Sequence, residues 1–329
     1  MYMVLAVLHP DHVLETEENN VNQVLEHAFL AGCQKTHEGK VATYIPELGK
    51  ADGNQLGICI HTISGEHFCV GDTNVRFSIQ SISKVISLAI ALELCGFDKV
   101  FQNVGMEPSG DPFNSFVKLE YTHSIPYNPM INAGAIVIAS YLEPLISFND
   151  MTRICRTLCM DPDIALDENV FHSEMSNISR NRAIAYLLES KGYIDKDVEK
   201  CLLFYVQMCS LSVTAESLAG LGLILANDGI HPDTGERLLK HQTVQIVKTI
   251  MLTCGMYDGS GQFAVRIGIP SKSGVGGGIL SVVDRKMGIG IYGPALDEKG
   301  NSLAGTYVLE YLSRELHLHL FDHTNGSTA

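Results

Sequence analysis

Phe77-Ser-Ile-Gln-Ser-Ile-Ser-Lys84 opens a long apolar segment that runs to about Cys95, and it sets Ser81 and Lys84 three residues apart. On a helix that spacing puts both side chains on one face, within mutual reach. After Lys84 the run Val85-Ile-Ser-Leu-Ala-Ile-Ala-Leu92 carries no charge, and apolar residues fall on every side. That is the pattern of a buried helix, not of a surface one with a single apolar stripe. A lysine there holds its proton less firmly, because a poorly solvated site disfavours the ammonium form. The pair reads as a serine nucleophile with a lysine base. The plainer alternative is a Ser and a Lys that only hydrogen-bond on one helix.

The chain of 329 residues is long enough to bury a large core, as one large domain or two ordinary ones. A formal net charge of −14, with no cluster of Lys or Arg, argues against a nucleic-acid or anionic-membrane surface. The nine cysteines are scattered and include no Cys-x-x-Cys pair. They indicate neither a disulfide framework nor a zinc ribbon, and read as small core residues in a reducing compartment. Met3-Val-Leu-Ala-Val-Leu8 is too short to span a bilayer, and the first basic residue is Lys35. It fits neither a signal peptide nor an arginine-rich transit peptide, which places the protein in the cytoplasm.

Residues 1–20 read as an acidic leader, followed by a helix over about 21–33. Pro46 and two glycines mark 39–49 as a loop with Tyr44 at its base. Two β-rich runs, 55–63 and 67–70, flank Ser64-Gly65-Glu66 and form a hairpin signal. The Ser81 helix should stop at Gly96. From Val104 to Pro129 the chain is rich in Gly, Pro, Asn, Asp and Ser, a texture usual in functional loops. It leads into a buried helix whose start presents Asn132. The stretch from Ser173 through Leu188 reads as one helix ended by Gly192, which sets Glu174 and Asn181 two turns apart on a shared face, with a merely solvated face as the alternative. Tyr205 lies in an apolar helix. Thr214 is an N-cap candidate and Gly229 a C-cap candidate for the next one. Strands are expected at 264–269, 279–283 and 287–292, with a closing helix over about 307–316.

These elements predict an α+β fold in which one antiparallel sheet is assembled from both ends of the chain. A single domain over 21–320 would comprise a sheet lobe (21–80 and 250–320) and a helical lobe (81–250), with 321–329 as a tail. A cleft between lobes is the natural place for a small-molecule site.

Ser-x-x-Lys also occurs as Ser115-Phe-Val-Lys118, in the turn-rich stretch without a buried helix to desolvate its lysine. The first copy is supported by Lys272-Ser273-Gly274, because Ser-x-x-Lys enzymes of the penicillin-binding class carry a Lys-Thr/Ser-Gly box on a strand edging the site. The glycines after it let the N–H of Val275 approach a substrate as an oxyanion donor. Ser271 stands where a P-loop needs glycine, and Gly288-Ile-Gly-Ile-Tyr-Gly293 runs into Pro294 instead of a helix, so neither nucleotide motif is met. The thirteen histidines are dispersed, and no metal or cofactor is implied.

Together Tyr44-Ile-Pro-Glu-Leu48, the Ser81 stretch, Asn128-Pro-Met-Ile-Asn-Ala-Gly-Ala135, Cys254-Gly-Met-Tyr-Asp258 and Lys272-Ser-Gly-Val-Gly-Gly-Gly278 resemble the serine-dependent glutaminase family, in its short bacterial-type form, from about residue 25 to 315. The resemblance implies a β-lactamase/DD-peptidase-like fold, hydrolysis of L-glutamine to L-glutamate, and a homodimer or homotetramer. It implies Ser81 as nucleophile, Lys84 as general base and Tyr257 as proton shuttle, with the N–H groups of Ser81 and Val275 as the oxyanion hole. Tyr44, Asn132, Glu174, Asn181 and Tyr205 would hold the substrate, Glu174 at its α-ammonium. A penicillin-recognising hydrolase with the same nucleophile, or a glutamine sensor without turnover, are the competing readings.

Overall fold

The computed structural model describes residues 10–110, 112, 114, 115 and 124–322, with side chains from Asn20 onward. In chain order the first helices are α1 (Pro10–Cys33), α2 (Ser83–Val100), α3 (Asn132–Leu142), α4 (Phe148–Leu158), α5 (Glu168–Ser176) and α6 (Ser179–Ser190). They are followed by α7 (Val198–Cys209), α8 (Ala215–Ala226), α9 (His241–Cys254), α10 (Ser260–Arg266) and α11 (Leu303–Glu315).

The main sheet takes strands from both ends of the chain, as expected. Its strands are β2 (Gly57–Thr62), β3 (His67–Gly71), β7 (Ser271–Ser273), β8 (Gly278–Val283) and β9 (Met287–Tyr292), in spatial order β3-β2-β9-β8-β7. Every pairing is antiparallel, with β2 and β3 closed by the predicted turn and Ile58 opposite Val70. A two-stranded ribbon joins β1 (Lys40–Val41) to β10 (Ala295–Leu296), and a small sheet joins β4 (Phe77–Ser78), β6 (Leu211–Val213) and β5 (Ala165–Leu166) in the order β4-β6-β5.

Alternation along the strands sends side chains to opposite faces. Ile58, Ile60, Ile289 and Ile291 turn to the face covered by α1 and α11, where they pack with Leu25, Ala28, Val308 and Leu312. Gly288 and Gly290 occupy the other face of β9, against α8. A Cβ at Gly290 would lie 1.9 Å from the Ala215 carbonyl oxygen, and one at Gly288 would lie 2.1 Å from the Leu223 nitrogen. The Gly-x-Gly-x-x-Gly pattern is therefore a strand stripped of side chains so that a helix can lie directly on it. Helix α8 turns Leu218 and Leu221 into the helical core with residues of α2, α3 and α7. Its start is capped as predicted: Ser217 N–H donates to Thr214 Oγ1 (3.1 Å), and Thr214 N–H donates to Ser217 Oγ (2.9 Å). No helix among the described residues is long and apolar enough to cross a membrane.

Several local expectations are corrected. Helix α1 starts at Pro10, inside the acidic stretch read as a leader; Leu14, Glu15, Glu17 and Glu18 are good helix formers, and proline suits a first helical position. Gly96 adopts φ 78°, but there it kinks α2, which continues to Val100. Residues 264–269 are not a strand. Their first part belongs to α10, because burying Phe263 and Ile267 together suits a helix and leaves Val265 81% exposed. Burial thus overrides β-branched propensity.

The cysteine reading holds in part: five free cysteines are buried, whereas Cys59 and Cys69 form a disulfide. Strand register explains the exception, since the two are direct cross-strand partners with Cα atoms 4.3 Å apart. Lys118 of the second Ser-x-x-Lys pair and residues 323–329 of the tail lie outside the described residues.

Candidate active site

Strand β4 delivers the chain to Ser81. Ile79 N–H donates to Leu211 O (2.8 Å), after which Gln80 enters the left-handed region at φ 48°. The chain then makes a short 3₁₀ turn, Gln80–Ile82, before α2 begins at Ser83. A non-glycine residue in that region stores backbone strain of about 1–2 kcal/mol. Ser81 is thus on the turn that feeds the helix, not on the helix itself, and it is 6% exposed.

The glycine box packs against this turn. A Cβ at Gly276 would sit 2.5 Å from Ser78 O, and one at Gly274 would sit 2.9 Å from Ile79 O. Only glycine permits that approach, which brings the backbone around Val275 beside the strand end leading to Ser81.

Lys84, on the first turn of α2, is 2% exposed. Its Nζ donates to Asn132 Oδ1 (2.7 Å) and more loosely to Met130 O (3.4 Å). Burial lowers its pKa to about 8, against the opposing pull of Cys209 and Glu174. Asn132, the first residue of α3, passes the interaction on: its Nδ2 donates to Asn181 Oδ1 (2.9 Å).

Tyr257 occupies a second left-handed position, φ 55°, just after α9. Its hydroxyl donates to Ser273 O (3.1 Å) and also bonds the Ser81 side chain. Burial holds the phenol well above the ordinary tyrosine range, so at neutral pH it keeps its proton. Lys272, fully buried, donates to the same Ser273 carbonyl and places Nζ 4.3 Å from the centroid of the Tyr257 ring. Burial, followed by the nearby Lys84 charge, pushes the Lys272 pKa well below its usual value.

Glu174, 6% exposed, accepts from Gln80 Nε2 (3.3 Å). Burial raises its pKa to about 7, partly offset by the Gln80 hydrogen bond and the Lys84 charge. The continuous helix expected through Glu174 and Asn181 is broken. Glu174 belongs to α5 and Asn181 to α6, because the Asn177 amide turns back to Ser173 O (2.8 Å) and competes with continued helix. Across that break the two side chains still face one space.

That space is a narrow cavity whose walls include Tyr44, Ser81, Asn132, Glu174, Asn181 and Tyr205. Lys84 lies behind Asn132, with its Nζ 6.0 Å from the Tyr205 ring centroid. Tyr44 is half exposed at the mouth, where a wider cleft shares it with Val275 and Lys299. Sequence reasoning did not single out Gln80, Arg180 or Cys209, which also line the cavity. Gln80 sits within the motif itself, but only the backbone turn reveals that it reaches Glu174. Among the described residues, its lining includes one carboxylate, Glu174, and one thiol, Cys209.

A glutaminase family profile matches residues 39–321. A glutaminase of Clostridium tetani is 51% identical over 299 residues, 89% of this chain and 98% of the relative. Among solved structures, the probable glutaminase YbaS superimposes with a TM-score of 0.86 at 36% identity, covering 92% of this chain and 98% of that one. The covalent complex of the Bacillus subtilis glutaminase YbgJ with 5-oxo-L-norleucine, formed by reaction with 6-diazo-5-oxo-L-norleucine, superimposes with a TM-score of 0.83 at 39% identity, covering 91% of this chain and 99% of that one. Bacterial glutaminases have a β-lactamase-like architecture, and the antiparallel sheet with its helical layers agrees with it.

Proposed function

This chain belongs to the glutaminase family, hydrolases of glutamine, and from that premise we propose that it cleaves L-glutamine to L-glutamate and ammonia through an acyl-enzyme on Ser81. The observation that carries the proposal is the hydrogen-bonded run Ser81–Tyr257–Ser273 O, with Ser81 three residues before the buried Lys84, whose pKa burial lowers to about 8.

In this mechanism neutral Lys84 takes the Ser81 proton as Oγ attacks the side-chain amide carbon. The N–H groups of Ser81 and Val275 bear the developing oxyanion, a term that matters because an amide is a poor electrophile. The C–N bond then breaks as the leaving nitrogen receives a proton through the neutral Tyr257 hydroxyl. Water cleaves the resulting ester, releasing glutamate and restoring Ser81.

Substrate orientation follows from charge. Glu174 faces the α-ammonium, whose arrival favours the ionised carboxylate. The α-carboxylate falls to Asn181, whose oxygen is already taken by Asn132, together with Tyr205, Tyr44 and Asn132. Glu174→Gln keeps the shape and removes the charge. We expect KM for glutamine to rise by about 10- to 100-fold with a smaller change in kcat, the split expected when a binding contact is lost. Steady-state kinetics at pH 8 measure it, and an unaltered KM removes Glu174 from this role.

The diazo ketone that gave the Bacillus subtilis complex tests the nucleophile directly. Peptide mapping of the treated protein should find one 5-oxo-norleucyl group, on Ser81, with loss of dinitrogen; an adduct on any other residue overturns the assignment. The reading extends to one catalytic domain over residues 21–320 in a homodimer or homotetramer, the oligomer being implied by the family resemblance, and to a cytoplasmic location, which the seven free cysteines support and the Cys59–Cys69 pair opposes.

A further inference from the structure

The β2–β3 hairpin carries a cluster that the hydrolysis does not use. His61 and His67 are direct cross-strand partners, and their rings stack with centroids 3.9 Å apart and planes inclined by 16°. They share a hairpin face with the disulfide pair Cys59 and Cys69, two residues along each strand, so a covalent brace fixes the spacing of the strands beneath them. This face looks onto the first turn of α8, where Glu216 Oε1 lies 4.0 Å from His61 Nε2.

His61 is 3% exposed, and neither of its ring nitrogens has a hydrogen-bond partner. Buried polar groups are almost always satisfied, so an imidazole with two unpaired nitrogens, stacked on a second histidine and 4.0 Å from a carboxylate, calls for a partner. The nearby cation does not forbid a positive one: Arg76 is paired with Asp161 (3.1 Å) and lies 3.9 Å from Asp163.

We propose that His61, His67 and Glu216 bind one divalent late transition-metal ion of the zinc type, tying the hairpin to the start of α8. Their donor atoms all lie within 4.8 Å of one another. A four-coordinate zinc ion places its ligand atoms about 3.4 Å apart and lies in the plane of each imidazole, so binding requires the exposed His67 to turn out of its stack on the fixed His61 while the exposed Glu216 swings in. Two imidazoles and a carboxylate leave the fourth position to water. Borderline-soft nitrogen donors select zinc over magnesium. The site is separate from the Ser81 cavity and does not depend on the proposed hydrolytic mechanism.

The test uses the full chain stripped of metal with its disulfide intact, titrated with zinc chloride by calorimetry and followed by thermal unfolding. Wild type should take up one more equivalent of zinc than His67→Ala, with a Kd on the order of micromolar or tighter. Zinc should raise its Tm, whereas magnesium should not. Glu216→Gln should weaken that equivalent by about tenfold or more, the usual effect of losing one ligand. Equal zinc uptake and equal Tm response in wild type and His67→Ala, or no uptake by either, overturns the proposal. Should the metal-free Tm of His67→Ala betray misfolding, Glu216→Gln decides: unchanged zinc affinity there overturns it as well.

Discussion

Ser81→Ala is expected to lower kcat for glutamine hydrolysis by about 10,000-fold or more while leaving L-glutamate binding within about threefold of wild type. The size follows from the chemistry, since without the hydroxyl only water remains to attack an unreactive amide. The survival of binding follows from the geometry. Ser81 is buried, and alanine fills its place without enlarging it. Tyr257 keeps its bond to Ser273 O, Lys84 keeps Asn132, and Glu174 keeps Gln80. Ammonia release measures the first part and calorimetry with glutamate the second. Residual turnover above about 1% of wild type would remove Ser81 as nucleophile, given the magnitude that loss of a nucleophile carries. Simultaneous loss of glutamate binding would mean that the substitution had collapsed the site. A sensor without turnover predicts no ammonia even from wild type.

Lys84→Arg should reduce kcat by about 1,000-fold or more, and wild-type kcat should climb with pH through about 8. Arginine keeps the positive charge but cannot give up its proton in this range, so it removes the base without removing the cation. It is also longer and forked, where the native Nζ fits 2.7 Å from Asn132 Oδ1. The sign of the pH effect comes from burial, which favours the neutral amine. With a pKa of about 8, about one Lys84 in ten is neutral at pH 7 and about nine in ten at pH 9. Glu174 adds a second step at about 7: below it the carboxyl is protonated and its attraction for the substrate ammonium fades, so KM rises on the acid side. A kcat that is flat from pH 6.5 to 9, or an arginine variant within about tenfold of wild type, would contradict a lysine base.

Much of this site was legible locally. Ser81, Lys84 and the glycine box are contiguous motifs whose residue types state their chemistry, and the hairpin and the Thr214 cap follow from turn and capping preferences within a few residues. What escaped had two causes, a local side-chain bond that competes with helix and contacts between distant segments. Nothing in the spacing of Glu174 and Asn181 foretells that the Asn177 amide ends one helix and lets another begin between them. The helical state of 260–266 depends on a core face supplied by strands and by helices from both chain ends. The hairpin did hold an unread signal: Cys59-Ile-His61 and His67-Phe-Cys69 mirror each other about the turn, so the register that pairs the cysteines also stacks the histidines.

By itself, then, the sequence determined the family, the sheet built from both ends of the chain, and the candidate residues to which roles in glutamine hydrolysis are proposed. The tertiary structure decided their states. Ser81 rests on a strained turn bonded to Tyr257, Lys84 donates to Asn132, and Glu174 and Lys84 stand near pKa values of about 7 and 8. The physical reason is that motif and periodicity are properties of a few neighbouring residues. Desolvation, hydrogen-bond pairing and strand register arise only when segments far apart in the chain are packed together.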